Sequence, residues 1–354
     1  MAAPTIDDLL QHQKFEVLNE EQVASFMKHG FLRIPGAISP EKCDWWTRDV
    51  WHRLGFDPND KSSWTTERTH MSKHHAVSAK EIAPKAWAAI CELCGGEDRI
   101  YPGVEMWTDA FIVNSGSPET EGKKVPPKKL DNWHVDGDFF VHFLDSPEQG
   151  LLVIPYWSDV DENGGATWIC DEGPKRIGQI LYDHPEGLGP MLRPRSEQLE
   201  HQDQHSIFIQ AAQEAPDESF HEMTGKKGDV ILMHPLMLHS ASRNGRRSDL
   251  RIGIITNPLV ALSAPFEFQR TNPADYSLVE LKTIADLGGP AKFINGWNIT
   301  GERQMFVPGR VLRQRKMQEE ENDRLRKLDL PLADNSLVQL PEFLAEQKVA
   351  KAGA

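Results

Sequence analysis

The feature that most restricts the fold of this sequence is a series of short, β-rich segments that begins at about residue 105. Turn-forming glycine, proline, asparagine or aspartate residues separate the segments. The segments are VEMWTDAFIVN, NWHVDGDFFVHFL, GLLVIPYWSDV, GATWIC, SIFIQ, GDVILM, LMLHS and LRIGIITN. Short strands separated by turn residues favour a sandwich, jelly roll or barrel over a parallel α/β sheet.

Helical patterns flank this β-rich region on both sides. Before it, LNEEQVASFMKHG predicts a helix that stops at Gly30, and SPEKCDWWTRDVWHRLG predicts one that runs from an N-cap at Ser39 to Gly55. A third helix is expected near residues 80–94. After residue 260, the segments SLVELKTIADLGG and VLRQRKMQEEENDRLRKL again have helical patterns.

These patterns predict a mainly β protein with flanking helices. We expect a mostly helical N-terminal part at 1–104, packed on a β core at 105–260, and a C-terminal helical extension at 261–354, all within one structural domain. Two long interruptions of the core, at about 115–130 and 171–225, are typical of lids or binding elements.

Composition excludes several classes of function. The 354 residues include 39 Lys and Arg against 53 Asp and Glu, so the formal net charge of −14 would repel a nucleic-acid backbone. No run of 18 apolar residues predicts a membrane span, and the first residues lack the order of a secretion signal. Four cysteines in a chain of this length fit a reducing compartment. We therefore expect a cytoplasmic protein that binds neither nucleic acid nor membrane.

The segment NWHVDGDFF contains the first candidate metal ligands, His134 and Asp136. Residues two apart on a strand point to the same face, about 7 Å apart along the backbone, so both side chains can reach one ion. Asp138 falls on the same face one step further along, where Gly137 is expected to bend the strand. The pattern favours Asp136 as the ligand, with Asp138 beside the site.

A third ligand is expected from another strand, and His239 is the best candidate. His234 competes with it, but His234 precedes Pro235 and lies five residues away, so a regular strand would point the two imidazoles in opposite directions. Two histidines and one carboxylate suit non-haem Fe(II) and leave three coordination positions open. Arg251 begins a later apolar strand, where its guanidinium is suited to bind one carboxylate of an organic diacid whose other end is held by the metal.

With these residues in this order, the sequence resembles the phytanoyl-CoA dioxygenase family of Fe(II)/2-oxoglutarate-dependent oxygenases. The resemblance covers roughly residues 17–260, through LNEEQVASFMKHGFLRIPGAISPEKCD, VEMWTDAFIVN, the HVD segment, ENGGATWIC and GDVILMHPLMLHSASRN. It implies a double-stranded β-helix, or jelly-roll, catalytic core of the cupin-like type. It also implies iron bound by His134, Asp136 and His239, and 2-oxoglutarate paired with Arg251.

The resemblance implies further contacts with the co-substrate. Asn114 ends a strand at a position where the family often has such a contact, and Thr167 or Trp168 lies on the strand that flanks the co-substrate pocket. Ala241 replaces a serine that is common in the family, so Ser240 or Ser242 is expected to take over its contact. The implied reaction uses O₂, releases succinate and CO₂, and by default hydroxylates a C–H bond; desaturation, epoxidation, ring rearrangement or endoperoxidation would use the same residues.

Aromatic residues around the HVD segment predict the substrate pocket. A largely apolar lining suits a small organic metabolite, although aromatic side chains also dominate the core of any β-sandwich. The candidate substrate-binding residues are Trp133, Asp138, Phe139, Phe140 and His142.

Two other functions remain open from the sequence alone: a cupin-like metal-dependent isomerase or lyase, and a non-catalytic jelly-roll binding protein. A homodimer formed through the charged C-terminal helix is also left open.

Overall fold

The structure is a computed structural model that describes residues 4–197, 206–250, 252–334 and 336–337. Helix makes up 35% and strand 17% of it. The expectation of a mainly β protein is therefore not confirmed, because helices at both ends and within the 171–225 interruption outweigh the short strands. None of the helices in the described ranges is both long enough and apolar enough to span a bilayer.

The α-helices of the described residues lie mostly before and after the central strands. They are α1 Ile6–Leu10, α2 Glu20–His29, α3 Pro40–Thr47, α4 Val50–Leu54, α5 Ala79–Ile82, α6 Pro84–Cys94, α7 Gly173–Asp183, α8 Ser206–Gln213, α9 Leu278–Asp286 and α10 Gly309–Arg326.

The strands are three or four residues long. They are β1 Phe31–Ile34, β2 Arg68–His70, β3 Ala76–Ser78, β4 Met106–Thr108, β5 Ile112–Asn114, β6 Leu152–Pro155, β7 Thr167–Cys170, β8 Phe220–Met223, β9 Val230–Met233, β10 Leu238–Ala241 and β11 Gly253–Ile255.

Two three-stranded antiparallel sheets form the centre of the fold, with strand orders β1-β9-β6 and β10-β7-β8. Alternate residues of β6 and β9 pack against alternate residues of β7 and β8 in one apolar cluster, so the sheets lie face to face. Members of this layer include Ile154, Ile231, Ile169 and Met223. A third sheet, β11-β5-β2, and the pair β3-β4 complete the strands. Across the described part of the chain, the strands do not close into a barrel.

Local sequence signals explain where several helices begin and end. Helix α2 begins with a capping box between Asn19 and Gln22 and ends at Gly30, whose φ of 71° is left-handed and favours glycine. Helix α6 ends in the same way at Gly95. The single helix predicted from Ser39 to Gly55 is instead two, α3 and α4. It breaks after Thr47, whose hydroxyl donates to the Cys43 carbonyl, a contact that often bends helices.

Two predicted strands have a different structure. SIFIQ lies in helix α8, because Phe208, Ala211 and Ala212 repeat at helical spacing and are buried on one face. The segment NWHVDGDFF forms no regular strand and makes only single bridges, at His134 and Phe140. The proposed three-part division of the chain stays a prediction, although β1 and β2, from the N-terminal part, pair with β9 and β5 of the core.

A buried ionic cluster fixes the C-terminal helix α10 to the N-terminal part. Arg53 of α4 lies between two carboxylates, with its Nε 2.8 Å from Glu321 and one terminal nitrogen 3.0 Å from Asp109. Glu321 also lies 2.9 Å from His74 Nε2. All four side chains are buried, so each charge depends on its neighbours rather than on water.

Glu321→Gln is expected to lower the free energy of unfolding by about 3 kcal/mol, because it leaves Arg53 with only one of its two buried carboxylate partners. Urea unfolding at pH 7 measures the change, and the exposed neighbour substitution Glu320→Gln is the control. Burial raises the pKa of Glu321, but contacts with His74 and Arg53 outweigh it and lower the pKa below its ordinary value of 4.5. The stabilisation is therefore present above pH 4.5 and lost as the pH falls below it. Equal stabilities of the Glu321→Gln variant and wild type at pH 7 would contradict this role.

Candidate metal centre

His134 and His239 lie directly opposite each other in an isolated antiparallel bridge. The backbone N–H of each donates to the carbonyl of the other, both at 3.0 Å. Directly opposed residues of an antiparallel pair project their side chains to the same face. The two imidazole rings accordingly lie side by side, with centroids 4.2 Å apart.

Asp136 completes a group of three side chains. Its Oδ1 lies 3.6 Å from His134 Nε2 and 3.5 Å from His239 Nε2. The chain turns immediately afterwards at Gly137, where φ is +125° and a Cβ would lie 2.5 Å from His142 Cε1. Only glycine fits this position, so the bend expected from the sequence is present although the regular strand is not.

Backbone carbonyls orient both imidazoles. His134 Nδ1 donates to the Asn132 carbonyl at 2.8 Å, and His239 Nδ1 donates to the Met237 carbonyl at 3.0 Å. Because carbonyls only accept, each Nδ1 carries a proton, and each Nε2 faces Asp136. Histidines that bind a metal are usually oriented by such a contact on the other ring nitrogen.

An asparagine orients the carboxylate in the same way. Asn257 Nδ2 donates to Asp136 Oδ2 at 2.5 Å, which leaves Oδ1 directed at the imidazoles. Sequence reasoning missed Asn257; the only signal was a polar residue between an apolar strand and a proline. Two imidazole nitrogens and one carboxylate oxygen, all within 4.8 Å of one another, form a donor set that fits a divalent transition metal.

The charges at this group favour binding of a cation. Burial raises the pKa of Asp136, but the facing His239 and His134 outweigh burial and hold the pKa well below its usual range. The carboxylate is therefore ionised at neutral pH. Burial lowers the pKa of His239, but the charge of Asp136 raises it by more, so the pKa lies above its ordinary value of 6.5.

A second carboxylate of the HVDGD sequence is paired with the C-terminal extension. Asp138 accepts two hydrogen bonds from Arg310 at the start of α10, at 2.7 and 3.0 Å. Backbone hydrogen bonds from Phe306 to Phe139 and from Val141 to Gln304 hold the preceding segment of the extension beside the 139–141 segment. Residues of the C-terminal extension therefore form part of the wall next to the candidate metal centre.

Aromatic side chains pack next to Asp136. A cavity there is lined by Phe140, His142, Phe143 and Phe266, and Phe139 packs against Phe140 with ring centroids 4.9 Å apart. His142 Nε2 donates to the Gly137 carbonyl at 2.8 Å, and burial lowers the pKa of His142 to about 4, so this imidazole is neutral at pH 7. Trp133, by contrast, is fully buried and donates to the Pro127 carbonyl.

The register between β7 and β10 determines which of the predicted co-substrate residues lie on the same face of the sheet as His239. His239 pairs with Ile169, and Ala241 pairs with Thr167, so Thr167 shares the face of His239. Alternation places Trp168 and Ser240 on the opposite face, together with Ser242 just beyond the strand.

Asn114 and Arg251 are the remaining residues predicted to contact the co-substrate. Asn114 donates to the carbonyls of Gly165 and Ser242, at 3.1 and 2.9 Å, and thereby ties together neighbouring segments of the core. Arg251 lies outside the described residues. The co-substrate roles of both residues stay predictions.

His234, the competing candidate ligand, lines the same cavity as Asp136 but does not belong to the group of three ligands. It is buried, with Nε2 2.8 Å from Thr283 Oγ1 and Nδ1 accepting from the backbone N–H of Leu236. Burial lowers its pKa to about 3. Both ring nitrogens are thus occupied by hydrogen bonds within the core.

Comparison with known proteins finds a matching family model and several similar solved structures. The family model for phytanoyl-CoA dioxygenase (PhyH) matches residues 26–249, more than half of the chain. Solved structures similar to this one include the non-haem α-ketoglutarate-dependent carbocyclase SnoK from nogalamycin biosynthesis. It is 16% identical, with 74% of this chain and 87% of that chain covered and a TM-score of 0.36.

HygX and EctD are two further similar structures. HygX from Streptomyces hygroscopicus, crystallised with nickel, 2-oxoglutarate and hygromycin B, is 14% identical, with 80% and 97% of the two chains covered and a TM-score of 0.39. EctD from S. alaskensis, in its apo form, is 12% identical, with 71% and 80% covered and a TM-score of 0.37. No curated protein sequence matches the chain significantly.

Asn257→Ala is expected to weaken metal binding by roughly 10- to 100-fold, because Asp136 loses the contact that directs its Oδ1. Anaerobic titration with Fe(II) in the presence of 2-oxoglutarate measures the dissociation constant. The exposed Asn59, in the loop after α4, provides the control substitution Asn59→Ala. An Asn257→Ala protein that binds Fe(II) as tightly as wild type would show that the hydrogen bond does not orient the carboxylate.

Proposed function

We propose, because the chain belongs to the phytanoyl-CoA dioxygenase family, that it is an Fe(II)/2-oxoglutarate-dependent dioxygenase with a jelly-roll core. Members of this family use Fe(II), 2-oxoglutarate and O₂. The observation that carries the proposal is the convergence of His134 Nε2, His239 Nε2 and Asp136 Oδ1. The substrate proposed is a small, largely apolar organic metabolite, and the default outcome is hydroxylation of one of its C–H bonds.

In this proposal, His134, Asp136 and His239 hold the iron and leave three positions open for 2-oxoglutarate and oxygen. When bound, the iron and 2-oxoglutarate supply the oxidising chemistry, in which 2-oxoglutarate is converted to succinate and CO₂ while the substrate is oxidised. The chain contributes the orientation of the ligands, the shape of the pocket and the exclusion of water.

The polar contacts around the ligands do the orienting. The Asn132 and Met237 carbonyls accept from Nδ1 of His134 and His239, so Nε2 of each ring is the nitrogen left to bind the metal. Asn257 holds the second oxygen of Asp136. None of these contacts needs to rearrange when a metal ion binds, which keeps the site preorganised.

The pairing of Asp138 with Arg310 supports the assignment of Asp136 as the carboxylate ligand. A bidentate guanidinium neutralises Asp138, whereas the facing groups nearest to Asp136 Oδ1 are the imidazoles. Of the two carboxylates in the HVDGD sequence, Asp136 is thus the one available to a cation. Asp138 instead joins the wall of the proposed substrate pocket.

The aromatic lining supports an apolar substrate. Phe140, Phe143 and the neutral His142 line the cavity next to Asp136, and among its described lining residues Asp136 is the only Asp, Glu, Lys or Arg. We assign 2-oxoglutarate to the face that carries His239 and Thr167, with its distal carboxylate on Arg251.

The other expectations about partners remain part of the proposal. We expect the protein to bind a small-molecule substrate and neither nucleic acid nor membrane. We also expect a cytoplasmic location, with a homodimer as the alternative to a monomer.

Asp136→Ala is expected to reduce succinate formation from 2-oxoglutarate to the background of the protein-free reaction, because the iron loses its carboxylate ligand. The assay uses Fe(II)-loaded protein and measures succinate together with O₂ consumption, with and without candidate substrates. The matched control is Asp131→Ala, which removes a carboxylate that is 79% exposed and lies outside the site. An active Asp136→Ala protein would contradict the proposed ligand set.

The same assay separates the alternatives. A cupin-like isomerase or lyase would convert its substrate without consuming 2-oxoglutarate, and a binding protein would consume neither 2-oxoglutarate nor O₂. Either result with the wild-type protein would overturn the proposed oxygenase.

A further inference from the structure

A second group of two histidines and one aspartate lies at the β8 edge of the β10-β7-β8 sheet. His29 Nδ1 and His221 Nε2 both contact Asp171 Oδ2, at 2.7 and 3.0 Å. The three ligand atoms lie within 4.8 Å of one another. We name His29, Asp171 and His221 the β8-edge cluster.

The strand register explains how these residues meet. His221 of β8 pairs with Ile169 of β7, and Asp171 lies two residues beyond Ile169, so both side chains project to one face. The backbone N–H of Asp171 donates to the Ser219 carbonyl at 2.9 Å, which extends the pairing past the end of the strand. His29 is the last residue of α2, just before the turn at Gly30 that leads into β1.

The same register separates this cluster from the candidate metal centre. Ile169 pairs with His239 on one side and with His221 on the other, so the two histidines lie in one row across the sheet. Neighbouring strands are about 4.8 Å apart, which puts the backbones of His239 and His221 about 10 Å apart. The two groups therefore share a face of the sheet but no residue.

The β8-edge cluster lies where the two main sheets meet at their open edges. Strand β1 is the edge of one sheet and β8 is the edge of the other. Phe31 of β1 lies 5.4 Å from the His221 ring, and Arg33 of β1 donates to the Thr224 carbonyl just after β8. No described backbone ladder joins β1 to β8, so side chains make this connection.

The chemistry of the cluster suits a cation of the zinc type. Two imidazole nitrogens and one carboxylate oxygen match three ligands of a tetrahedral site, and side-chain exposures of 28%, 14% and 28% leave access for the ion and a water molecule. Burial raises the pKa of Asp171, but the contacts with His221 and His29 outweigh it and lower the pKa, so the carboxylate is ionised at neutral pH.

The distances from Asp171 Oδ2 to the two imidazole nitrogens are close to those of such a site. Ligand atoms about 2.0 Å from a tetrahedral zinc ion lie about 3.3 Å from one another. The contacts of 2.7 and 3.0 Å would have to open by only a few tenths of an ångström to admit the ion.

We propose that His29, Asp171 and His221 form a second divalent-metal site, which binds Zn²⁺ in preference to Fe(II) and clamps β1 to β8. The preference follows from the general order of affinities for nitrogen and oxygen ligands, in which Zn²⁺ exceeds Fe²⁺. The site is independent of the proposed oxygenase activity.

The test uses the full chain with the first site disabled by His134→Ala and His239→Ala. Titration of this metal-free protein with Zn²⁺ alone, followed by measurement of the bound metal after gel filtration, is expected to give one equivalent. At Zn²⁺ about a hundredfold above the dissociation constant, the thermal midpoint is expected to rise by about 4 °C. Adding His29→Gln or His221→Ala is expected to abolish both effects.

The matched control is His184→Gln, because His184 also pairs with a carboxylate, Glu186, at 2.8 Å but without a second imidazole. This substitution should leave both effects intact. His29→Gln changes a partly exposed side chain at the end of a helix, and circular dichroism checks that each variant is folded. Failure of the protein with His134→Ala and His239→Ala to bind Zn²⁺ would overturn the proposal and identify the cluster as hydrogen-bonded only. Undiminished binding after His29→Gln and His221→Ala would also overturn it.

Discussion

The pair of backbone hydrogen bonds between His134 and His239 is the constraint on which the candidate active site depends. It places two imidazoles from distant parts of the chain on one face, side by side. Asp136 follows two residues later and reaches both rings because Gly137 turns the chain away behind it. Loss of this bridge would remove the common direction of all three side chains, and with it the proposed chemistry.

The rest of the fold keeps that bridge in place. His239 lies on β10, which is paired with β7, and β7 contributes Ile169 to the apolar layer between the two main sheets. The C-terminal extension adds a second level of support, through Arg310 on Asp138 beside the site and through Glu321 on Arg53 in the interior. These contacts come from residues beyond the matched family region, so this wall of the pocket is built by parts of the chain that the family model does not cover.

The sequence allowed part of this to be predicted. The spacing of His134 and Asp136, followed much later by His239, indicated the convergence, because few arrangements bring such residues to one point. The hydrogen bond from Asn257 to Asp136 was not predictable, because the tertiary fold rather than a local sequence pattern brings the two residues together. The helix at SIFIQ was also missed, because a short apolar run fits a strand and a buried helix equally well. His221 gave no signal, as its partners lie on two other elements.

In the proposed ligand set, Fe(II) is held by three side chains at the His134–His239 bridge. Anomalous diffraction at the iron absorption edge, from crystals grown without oxygen in the presence of Fe(II) and 2-oxoglutarate, shows which atoms bind the ion. We expect an iron peak within bonding distance of His134 Nε2, His239 Nε2 and Asp136 Oδ1, with 2-oxoglutarate on the same ion. Iron bound elsewhere, or a peak that lacks Asp136 as a ligand, would contradict it.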